Sequence, residues 1–324
     1  MEMATIKDVA KLAKVSTATV SRVINNSGYV HADTRKRVEE AIRQLNYRPN
    51  AVARSLFKKE SKSIGFIIPD ITNPFFPQLV RAVEDTIMKA GYTILLFNTD
   101  GVLDYELQLI ELMKSKYVDG ILAVSNSIKR EHLQDLTIPI VSIDRVIDPD
   151  LPSVSIDNYD GAKQAVRHLL AKGCRKIAHL SGPENIDNAR ERCQGYLDEM
   201  KRNNMHPIVY PGNYELKEAM NAVLMLLTEH PDVDGIFAGN DVMAVGTIKA
   251  ATKLGYKIPE DIKVIGFDGI DIGMIITPEL TTMEQPILEM GRKGIELLLD
   301  LIHGKKIEKK RFVYQAKLVE RHST

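Results

Sequence analysis

The sequence is poor in cysteine and has no long apolar run. Its two cysteines, Cys174 and Cys193, are too few for a disulfide framework or a zinc cluster. The first residues lack a basic segment followed by an apolar run, which predicts no secretion signal. No stretch reaches the ~18 uninterrupted apolar residues of a membrane span. We therefore expect a cytoplasmic protein that contacts no membrane.

Enzyme motifs are also missing. The chain contains no HExxH, no GxSxG, no P-loop and no glycine-rich dinucleotide turn. Its eight histidines form no cluster with metal-ligand spacing, and His179 lies within an apolar run that favours a core position. We therefore expect no enzymatic activity, no catalytic residue, no metal and no cofactor.

The formal net charge of zero hides an uneven distribution. Residues 1–60 carry 12 Lys/Arg against 6 Asp/Glu, a formal +6. Residues 61–324 carry 31 against 37, a formal −6. A basic N-terminal part on an acidic remainder indicates that the N-terminal part contacts a polyanion such as DNA.

Residues 16–25 predict a short helix with one apolar side, and Ser16 is placed to cap it. The apolar side carries Val20, Val23 and Ile24. The opposite side carries small polar residues and one arginine: Thr17, Ala18, Ser21 and Arg22. Such a surface suits the DNA major groove, because arginine can bind guanine through two hydrogen bonds and Thr or Ala can contact a thymine methyl.

Neighbouring patterns place this helix in a larger motif. Thr5 and Asp8 indicate the start of a preceding helix, and Lys14-Val15 is a connection short enough for a helix-turn-helix. A third helix is predicted around residues 38–45 by its apolar stripe. After Pro49, residues 50–56 predict a further short helix with too little apolar surface to be stable without a partner.

Residues 61–324 alternate apolar runs with helical stretches, which predicts doubly wound α/β architecture in two lobes. The runs predicted as strands are 64–69, 92–97, 120–124, 138–143, 176–180, 235–238 and 263–267. Ligands bind at the carboxyl ends of such strands, so a cleft between the lobes would collect polar residues from both. Paired aromatics with Asp, Asn, Arg and Gln at these ends suit a sugar.

Residues 5–56 resemble the DNA-binding head of the LacI/GalR repressor family. The resemblance is carried by Thr5-Ile-Lys-Asp-Val-Ala, Val15-Ser16, Thr19-Val-Ser-Arg22-Val, Thr34-Arg35 and Tyr47-Arg-Pro-Asn50-Ala-Val-Ala-Arg54-Ser-Leu56. It implies that Thr17, Ala18 and Arg22 approach base edges and that Leu56 wedges into the minor groove. It implies phosphate contacts for Ser16, Thr19, Ser21, Asn25, Tyr47 and Asn50. Thr5, Ala53 and Arg54 complete the expected DNA-binding set.

The remainder resembles periplasmic sugar-binding proteins, and among them ribose binders and ribose repressors. The matching segments are Asn73-Pro-Phe-Phe76, Asp144-Arg145, Ala189-Arg-Glu-Arg192, Asn240-Asp241, Gly266-Phe-Asp268-Gly and Gln285. The resemblance implies an effector site formed by Asn73, Phe75, Phe76, Ser125, Asp144, Arg145, Arg192, Tyr214, Asn240, Asp268 and Gln285. Two positions depart from the ribose pattern: Tyr214 stands for Phe, and Ser125 for Asn.

We therefore expect a helix-turn-helix domain over 1–48, a hinge helix and linker over 49–60, and an effector-binding and dimerisation domain over 61–324. Its lobes would comprise 61–160 with 287–324, and 161–286. The expected function is a homodimeric repressor of a sugar operon, released from palindromic operator DNA by a small sugar, with ribose favoured. Alternatives are another sugar, a purine corepressor, a phosphocarrier protein as effector, or a sugar-binding transport protein.

Overall fold

The computed structural model describes residues 4–47 and 60–324. The chain divides into two compact units, Met1–Ser61 and Lys62–Thr324, called here the head and the body. The predicted hinge helix, with its site residues Asn50, Ala53, Arg54 and Leu56, lies outside the described residues. None of the helices within 4–47 and 60–324 has the length and apolar character of a membrane span.

The head contains the three predicted helices: α1 (Ile6–Ala13), α2 (Thr17–Asn25) and α3 (Ala32–Gln44). Thr5 caps α1 in a reciprocal capping box with Asp8, and Ser16 caps α2 by accepting from the backbone N–H of Thr19. One small apolar core joins the three helices, formed by Val9, Ala10, Ala13, Val20, Val23, Val38 and Ala41. The helix-turn-helix prediction is confirmed.

The body contains twelve strands within its described residues. In chain order these are β1 (Ser63–Ile68), β2 (Thr93–Asn98), β3 (Gly120–Ala123), β4 (Ile140–Ile143), β5 (Ser153–Ile156), β6 (Ile177–Ser181), β7 (Ile208–Pro211), β8 (Gly235–Ala238), β9 (Lys263–Asp268), β10 (Thr281–Glu284), β11 (Arg311–Tyr314) and β12 (Lys317–Val319).

The α-helices of the body alternate with most of these strands. They are α4 (Phe75–Ile87), α5 (Leu103–Ser115), α6 (Asn158–Ala171), α7 (Asp187–Arg202), α8 (Leu216–Glu229), α9 (Asp241–Lys253), α10 (Ile272–Ile275) and α11 (Ile287–Ile302). Two short 3₁₀ helices are formed by Met88–Ala90 and Arg130–Leu133.

The strands form two six-stranded sheets, one in each lobe. The order is β11-β5-β4-β3-β1-β2 in the first and β12-β10-β9-β8-β6-β7 in the second. All neighbours pair in parallel except β10 and β12, which are antiparallel. The central strands are buried along nearly their whole length, as expected for a parallel sheet covered by helices on both faces. The doubly wound α/β prediction is confirmed.

One predicted lobe boundary is wrong. The sequence predicts that the whole of residues 287–324 belongs to the first lobe, but β12 pairs with β10 of the second sheet. The hydroxyl group of Ser323 also donates to the carbonyl of Val264 in β9. The chain therefore leaves the first lobe after β11, because the last strand completes the hydrogen bonding of the exposed edge of β10.

Candidate functional site

The outward face of α2 is the candidate DNA-contacting surface of the head. Val20 and Val23 are buried in the core, whereas Thr17, Ala18 and Arg22 are exposed on the other side of the helix. Thr19 and Ser21 are half-buried, and Ser16 and Asn25 are exposed at the two ends of the helix. The three side chains expected at base edges thus lie together on one solvent-facing surface.

Local hydrogen bonds hold both ends of α2 in place. The hydroxyl groups of Ser16 and Thr19 lie 2.9 Å apart. The amide of Asn25 donates to the backbone oxygen and to the hydroxyl group of Ser21, at 2.9 and 3.1 Å. Asn26 ends the helix in the left-handed conformation at φ 49° and accepts a hydrogen bond from Arg35 of α3. These bonds fix the orientation of the face before any DNA is present.

Two predicted DNA-contacting residues lie at the margins of the head. Thr5 is exposed at the start of α1, and its hydroxyl group donates to Asp8, which lowers the pKa of that carboxyl group. Tyr47 is half-buried and packs against the apolar core at the last described position before the hinge segment.

A cleft of ≈ 620 Å³ lies between the two lobes of the body, at the carboxyl ends of the strands. Its volume falls in the range of small-molecule sites. Ten of the eleven residues predicted for the effector site line it: Asn73, Phe75, Phe76, Asp144, Arg145, Arg192, Tyr214, Asn240, Asp268 and Gln285.

The first-lobe wall combines an aromatic pair with polar groups. The rings of Phe75 and Phe76 are perpendicular, with centroids 5.2 Å apart, and both side chains are nearly buried. Asn73 accepts a hydrogen bond from the backbone N–H of Phe75, which fixes the start of α4. Aromatic rings that line a cleft suit the C–H faces of a sugar.

Arg192 organises the second-lobe wall. Its guanidinium group donates to the side chain of Asn158, to the carbonyl of Gly239 and to Asp268, at 2.9, 2.6 and 3.2 Å. It also lies over the ring of Phe267, 3.8 Å from the centroid, which is a cation–π contact. Only 2% of the residue is exposed, so these partners stabilise a charge that burial alone would disfavour.

The two carboxylates of the predicted effector set lie on unusual backbone. Asp144 has φ 67° and Asp268 has φ 117°, values that non-glycine residues rarely adopt. Burial raises the pKa of Asp144, and it raises the pKa of Asp268 to about 6 against the opposing effect of Arg192. Strained backbone and desolvated acids at a cleft are features that cluster at functional sites.

Ser125 is the one predicted effector residue that does not line the cleft. Its hydroxyl group donates to Glu106 at 2.7 Å and accepts from the backbone N–H groups of Ser127 and Ile128. The adjacent Asn126 lines the cleft instead. The asparagine that the ribose pattern expects is therefore present one position later.

Asn188 is a second site residue that sequence reasoning missed. From the second lobe, its amide donates to Asp144 of the first lobe at 3.1 Å. Its oxygen lies 3.3 Å from the hydroxyl oxygen of Tyr214, which donates to it. The signal was available, since Asn188 is on the same helical segment as Arg192. Further polar residues that line the cleft outside the predicted set include Asp70, Thr72, Asp100, Ser127, Asn185, Asn213 and Glu215.

Several polar atoms at the cleft have no hydrogen-bond partner among the described residues. They are both amide atoms of Asn126, Oδ1 of Asp144, Nε of Arg145 and Oε1 of Gln285. The Nε atom of Arg145 does lie 3.5 Å from Asp144 Oδ2, an ion-pair contact. Because unsatisfied buried polar groups cost free energy, this set indicates a ligand rich in hydrogen-bonding groups.

The chain belongs to the LacI family of bacterial regulatory proteins. Residues 5–50 match the family model described as bacterial regulatory proteins, lacI family. Residues 61–321 match the model for periplasmic binding proteins and the sugar binding domain of the LacI family. The chain is thus a DNA-binding repressor of this family, and its relatives are regulators rather than enzymes.

Three similar proteins show how far the likeness extends. A ribose operon repressor of Halalkalibacterium halodurans is 44% identical over 322 residues, covering 99% of this chain and 97% of the relative. A Lac repressor dimer bound to operator and an anti-inducer has a TM-score of 0.90 at 28% identity, covering 99% of each chain. A LacI family regulator from Enterococcus faecium with bound ribose has a TM-score of 0.74 at 29% identity, covering 81% of this chain and 98% of that one.

Proposed function

We propose that this protein represses a sugar-utilisation operon as a homodimer on a palindromic operator and that ribose releases it. The proposal that the effector is a sugar rests on the cleft atoms without hydrogen-bond partners among the described residues and on the aromatic pair beside them. The relative named as a ribose operon repressor and the similar regulator with bound ribose support ribose over other sugars.

The hydrogen-bond pattern of the cleft favours a polyol. Asn126 offers a donor and an acceptor, Asp144 and Gln285 offer acceptors, and Arg145 offers a donor. Each hydroxyl group of a sugar can both donate and accept, so a few of them can satisfy this mixed set. The rings of Phe75 and Phe76 then cover the apolar face of the sugar.

In the head, Thr17, Ala18 and Arg22 would contact base edges in the major groove. Phosphate contacts would come mainly from Ser16, Thr19, Ser21, Asn25 and Tyr47. Two heads related by a twofold axis would bind two half-sites, which is why a palindrome is expected. Asn50, Ala53, Arg54 and Leu56 of the predicted hinge would order on DNA, with Leu56 wedged into the minor groove.

Sugar binding would close the two lobes, separate the paired hinges and favour the DNA-free state. Ordering the hinges consumes free energy that DNA contacts must offset. A modest change in the spacing of the two hinges would therefore be enough to favour the DNA-free state. Coupling of ~1–3 kcal/mol per effector would reduce operator affinity about 5- to 150-fold.

The test begins with selection of binding sites from a random duplex pool, followed by titration of the selected duplex with and without D-ribose. We expect an inverted repeat and weaker binding with ribose. A purine base and a second pentose serve as comparison effectors. Selection without symmetry would contradict the dimer on a palindrome, and unchanged or tighter binding with ribose would contradict the inducer assignment.

A hinge variant separates the two activities. Leu56→Ala should weaken operator binding because the wedge is shortened, while ribose affinity stays as in the wild type. The measurement pairs an operator titration with calorimetry of ribose binding. Equal operator affinity in the variant would remove Leu56 from the DNA contact.

A further inference from the structure

Asp241 is a buried acid behind the second-lobe wall of the cleft. It follows the cleft residue Asn240 at the start of α9, is 0% exposed and does not itself line the cleft. Its Oδ2 accepts the backbone N–H groups of Gly269 and Ile270 at 2.8 and 2.9 Å. Its Oδ1 lies 2.6 Å from the hydroxyl oxygen of Thr282 in β10. One side chain therefore joins three segments of the lobe.

The neighbouring strand leaves space for this carboxyl group. Gly266 lies in β9 next to Asp241, and a Cβ atom at this position would collide with Oδ1 of Asp241. Any larger residue would push the acid away from the turn that it holds. Glycine at position 266 is thus explained by the presence of Asp241 rather than by backbone conformation.

The turn held by Asp241 carries a ligand-facing residue. Asp268 ends β9 at φ 117° and is followed by Gly269 at φ 79°. In this conformation Asp268 accepts from Arg192 and from the side chain of Gln285, the latter at 2.7 Å. Backbone in such regions persists only when the surroundings fix it.

We propose that Asp241 is a positioning residue for effector binding, because it clamps the turn after β9 and so keeps Asp268 directed at the cleft. This inference rests on the proposed function of the cleft as an effector site. Asp241 would act without touching the effector.

The surroundings of Asp241 favour a neutral carboxylic acid, although its three hydrogen bonds oppose this effect. Burial, followed by the facing charge of Asp268 from β9, raises the pKa of Asp241 to about 8. The other facing groups are neutral: the Thr282 hydroxyl from β10 and two backbone N–H groups. The Thr282 hydroxyl group donates to Oδ1 when Asp241 is ionised. In the neutral form this bond reverses, so that Oδ1–H donates to the hydroxyl oxygen while Oδ2 still accepts both N–H groups. An asparagine side chain offers the same arrangement of one donor and one acceptor.

The experiment measures D-ribose affinity of the full-length protein by calorimetry, together with backbone hydrogen exchange. Asp241→Ala leaves two buried N–H groups without a partner, so we expect ribose affinity to fall roughly tenfold or more. Exchange should rise in peptides spanning residues 266–272. Asp241→Asn should retain affinity within about threefold and protect the turn, because its amide reproduces the three bonds.

Asp234 supplies a matched control. It also accepts backbone N–H groups, those of Arg175 and Lys176, but it precedes β8 and so lies at the end of the second sheet away from the cleft. Asp234→Ala should destabilise the same lobe while leaving ribose affinity unchanged. If Asp241→Ala fails to fold, Thr282→Val removes one of the three bonds and should still weaken binding about two- to fivefold.

The outcomes separate the two proposals. If the wild type does not bind ribose, the effector assignment fails, and the exchange of residues 266–272 in Asp241→Ala still tests the clamp. Unchanged exchange there would overturn the inference, whether or not ribose binds. Wild-type ribose affinity in Asp241→Ala, or an equal loss in Asp234→Ala, would also overturn it.

Discussion

The two lobes present polar groups to the cleft in different ways. In the second lobe, Arg192 is bonded to Asn158, Gly239 and Asp268, so the protein itself fixes its orientation. In the first lobe, both amide atoms of Asn126 and one oxygen of Asp144 have no hydrogen-bond partner among the described residues. Within the part of the chain that the structure describes, Oε1 of Gln285 is the exception on the second-lobe wall, whereas the first-lobe wall holds the other cleft atoms that have no hydrogen-bond partner.

This difference predicts how each wall responds to substitution. Groups of the second lobe contribute to folding and to binding at once, because removing one of them leaves its buried partners unsatisfied. Asn126 of the first lobe would gain hydrogen-bond partners from a ligand, so it should contribute to binding alone. A preorganised wall also loses less conformational entropy when the ligand binds.

Arg192→Ala should have the largest effect. It leaves Asp268 as a buried carboxylate without its cation, and breaking a buried pair costs ~3–5 kcal/mol of folding free energy. We expect ribose response to be lost while operator binding without sugar persists. Calorimetry, urea unfolding and operator titration measure the three quantities.

Arg190→Ala is the control for this variant, because Arg190 lies on the same helix with a largely exposed side chain. It should change neither stability nor ribose affinity appreciably. Wild-type ribose affinity in Arg192→Ala would contradict the assignment of Arg192 to the site.

Asn126→Ala should weaken ribose binding about 5- to 150-fold, since one or two hydrogen bonds to the sugar are worth ~1–3 kcal/mol. The free energy of unfolding without ligand should stay equal or rise, because the substitution removes buried polar atoms that lack partners. Calorimetry and urea unfolding of the same preparation test both. A loss of stability comparable to that of Arg192→Ala would contradict the proposed difference between the two lobes, because Asn126 would then contribute to folding as well.

Behind the first-lobe wall, Glu106 occupies a position comparable to that of Asp241. It accepts hydrogen bonds from Thr99 and Ser125, and Ser125 in turn accepts the backbone N–H groups that shape the loop after Asn126. Burial raises the pKa of Glu106. Each wall is thus supported by a desolvated acid that does not line the cleft.

Glu106→Ala should therefore cost ~1–3 kcal/mol of stability, because the buried hydroxyl group of Ser125 loses its acceptor, whereas Thr99 keeps the carbonyl of Ile68. Ribose affinity should fall only a few-fold, because the Asn126 side chain is still present and only the loop that follows it becomes less rigid. Glu106→Gln retains the acceptor oxygen and should lie between the wild type and Glu106→Ala in both measurements. A loss of affinity without a loss of stability would indicate direct contact with the ligand.

Much of this architecture follows from local sequence signals. Thr5 and Ser16 cap the first two helices, and the apolar stripes of the head repeat at helical spacing, so its helices were predictable. Continuous apolar runs predict seven strands: β1, β2, β3, β4, β6, β8 and β9. The interior strands β5 and β10 have no such run, and the edge strands β7 and β11 alternate half-buried and exposed residues. The pairing of β12 with the second sheet depends on tertiary contacts that no local pattern encodes.

The sequence predicted which strand ends form the candidate site. It did not predict which side chains at those ends point into the cleft. Ser125 and Asn126 are adjacent, and sequence alone did not indicate which of them reaches the cleft. The structure resolves this through Glu106, which holds the hydroxyl group of Ser125 inside the first lobe. The position of Asn188 on the helix of Arg192 was a usable signal, but its bonds to Asp144 and Tyr214, which are distant in sequence, could not be predicted.

Asp241→Asn is the smallest perturbation of the second-lobe acid. Its effect is tested by the pH dependence of the free energy of unfolding. The pKa of Asp241 is raised from an ordinary value of 3.8 to about 8 in the folded protein. Between these values the folded state keeps a proton that the unfolded state has released. Stability arising from this group is therefore fully present below pH ~4, falls as pH rises through the window, and levels off above pH ~8.

The asparagine variant has no such proton, and Asp268 titrates in both proteins. The difference in free energy of unfolding, wild type minus Asp241→Asn, should therefore decrease steadily between pH ~4 and ~8. Urea unfolding of both full-length proteins across this range measures it. A difference that stays constant would mean that Asp241 is ionised in the folded lobe, and the clamp would then act through a charged carboxylate that asparagine reproduces poorly.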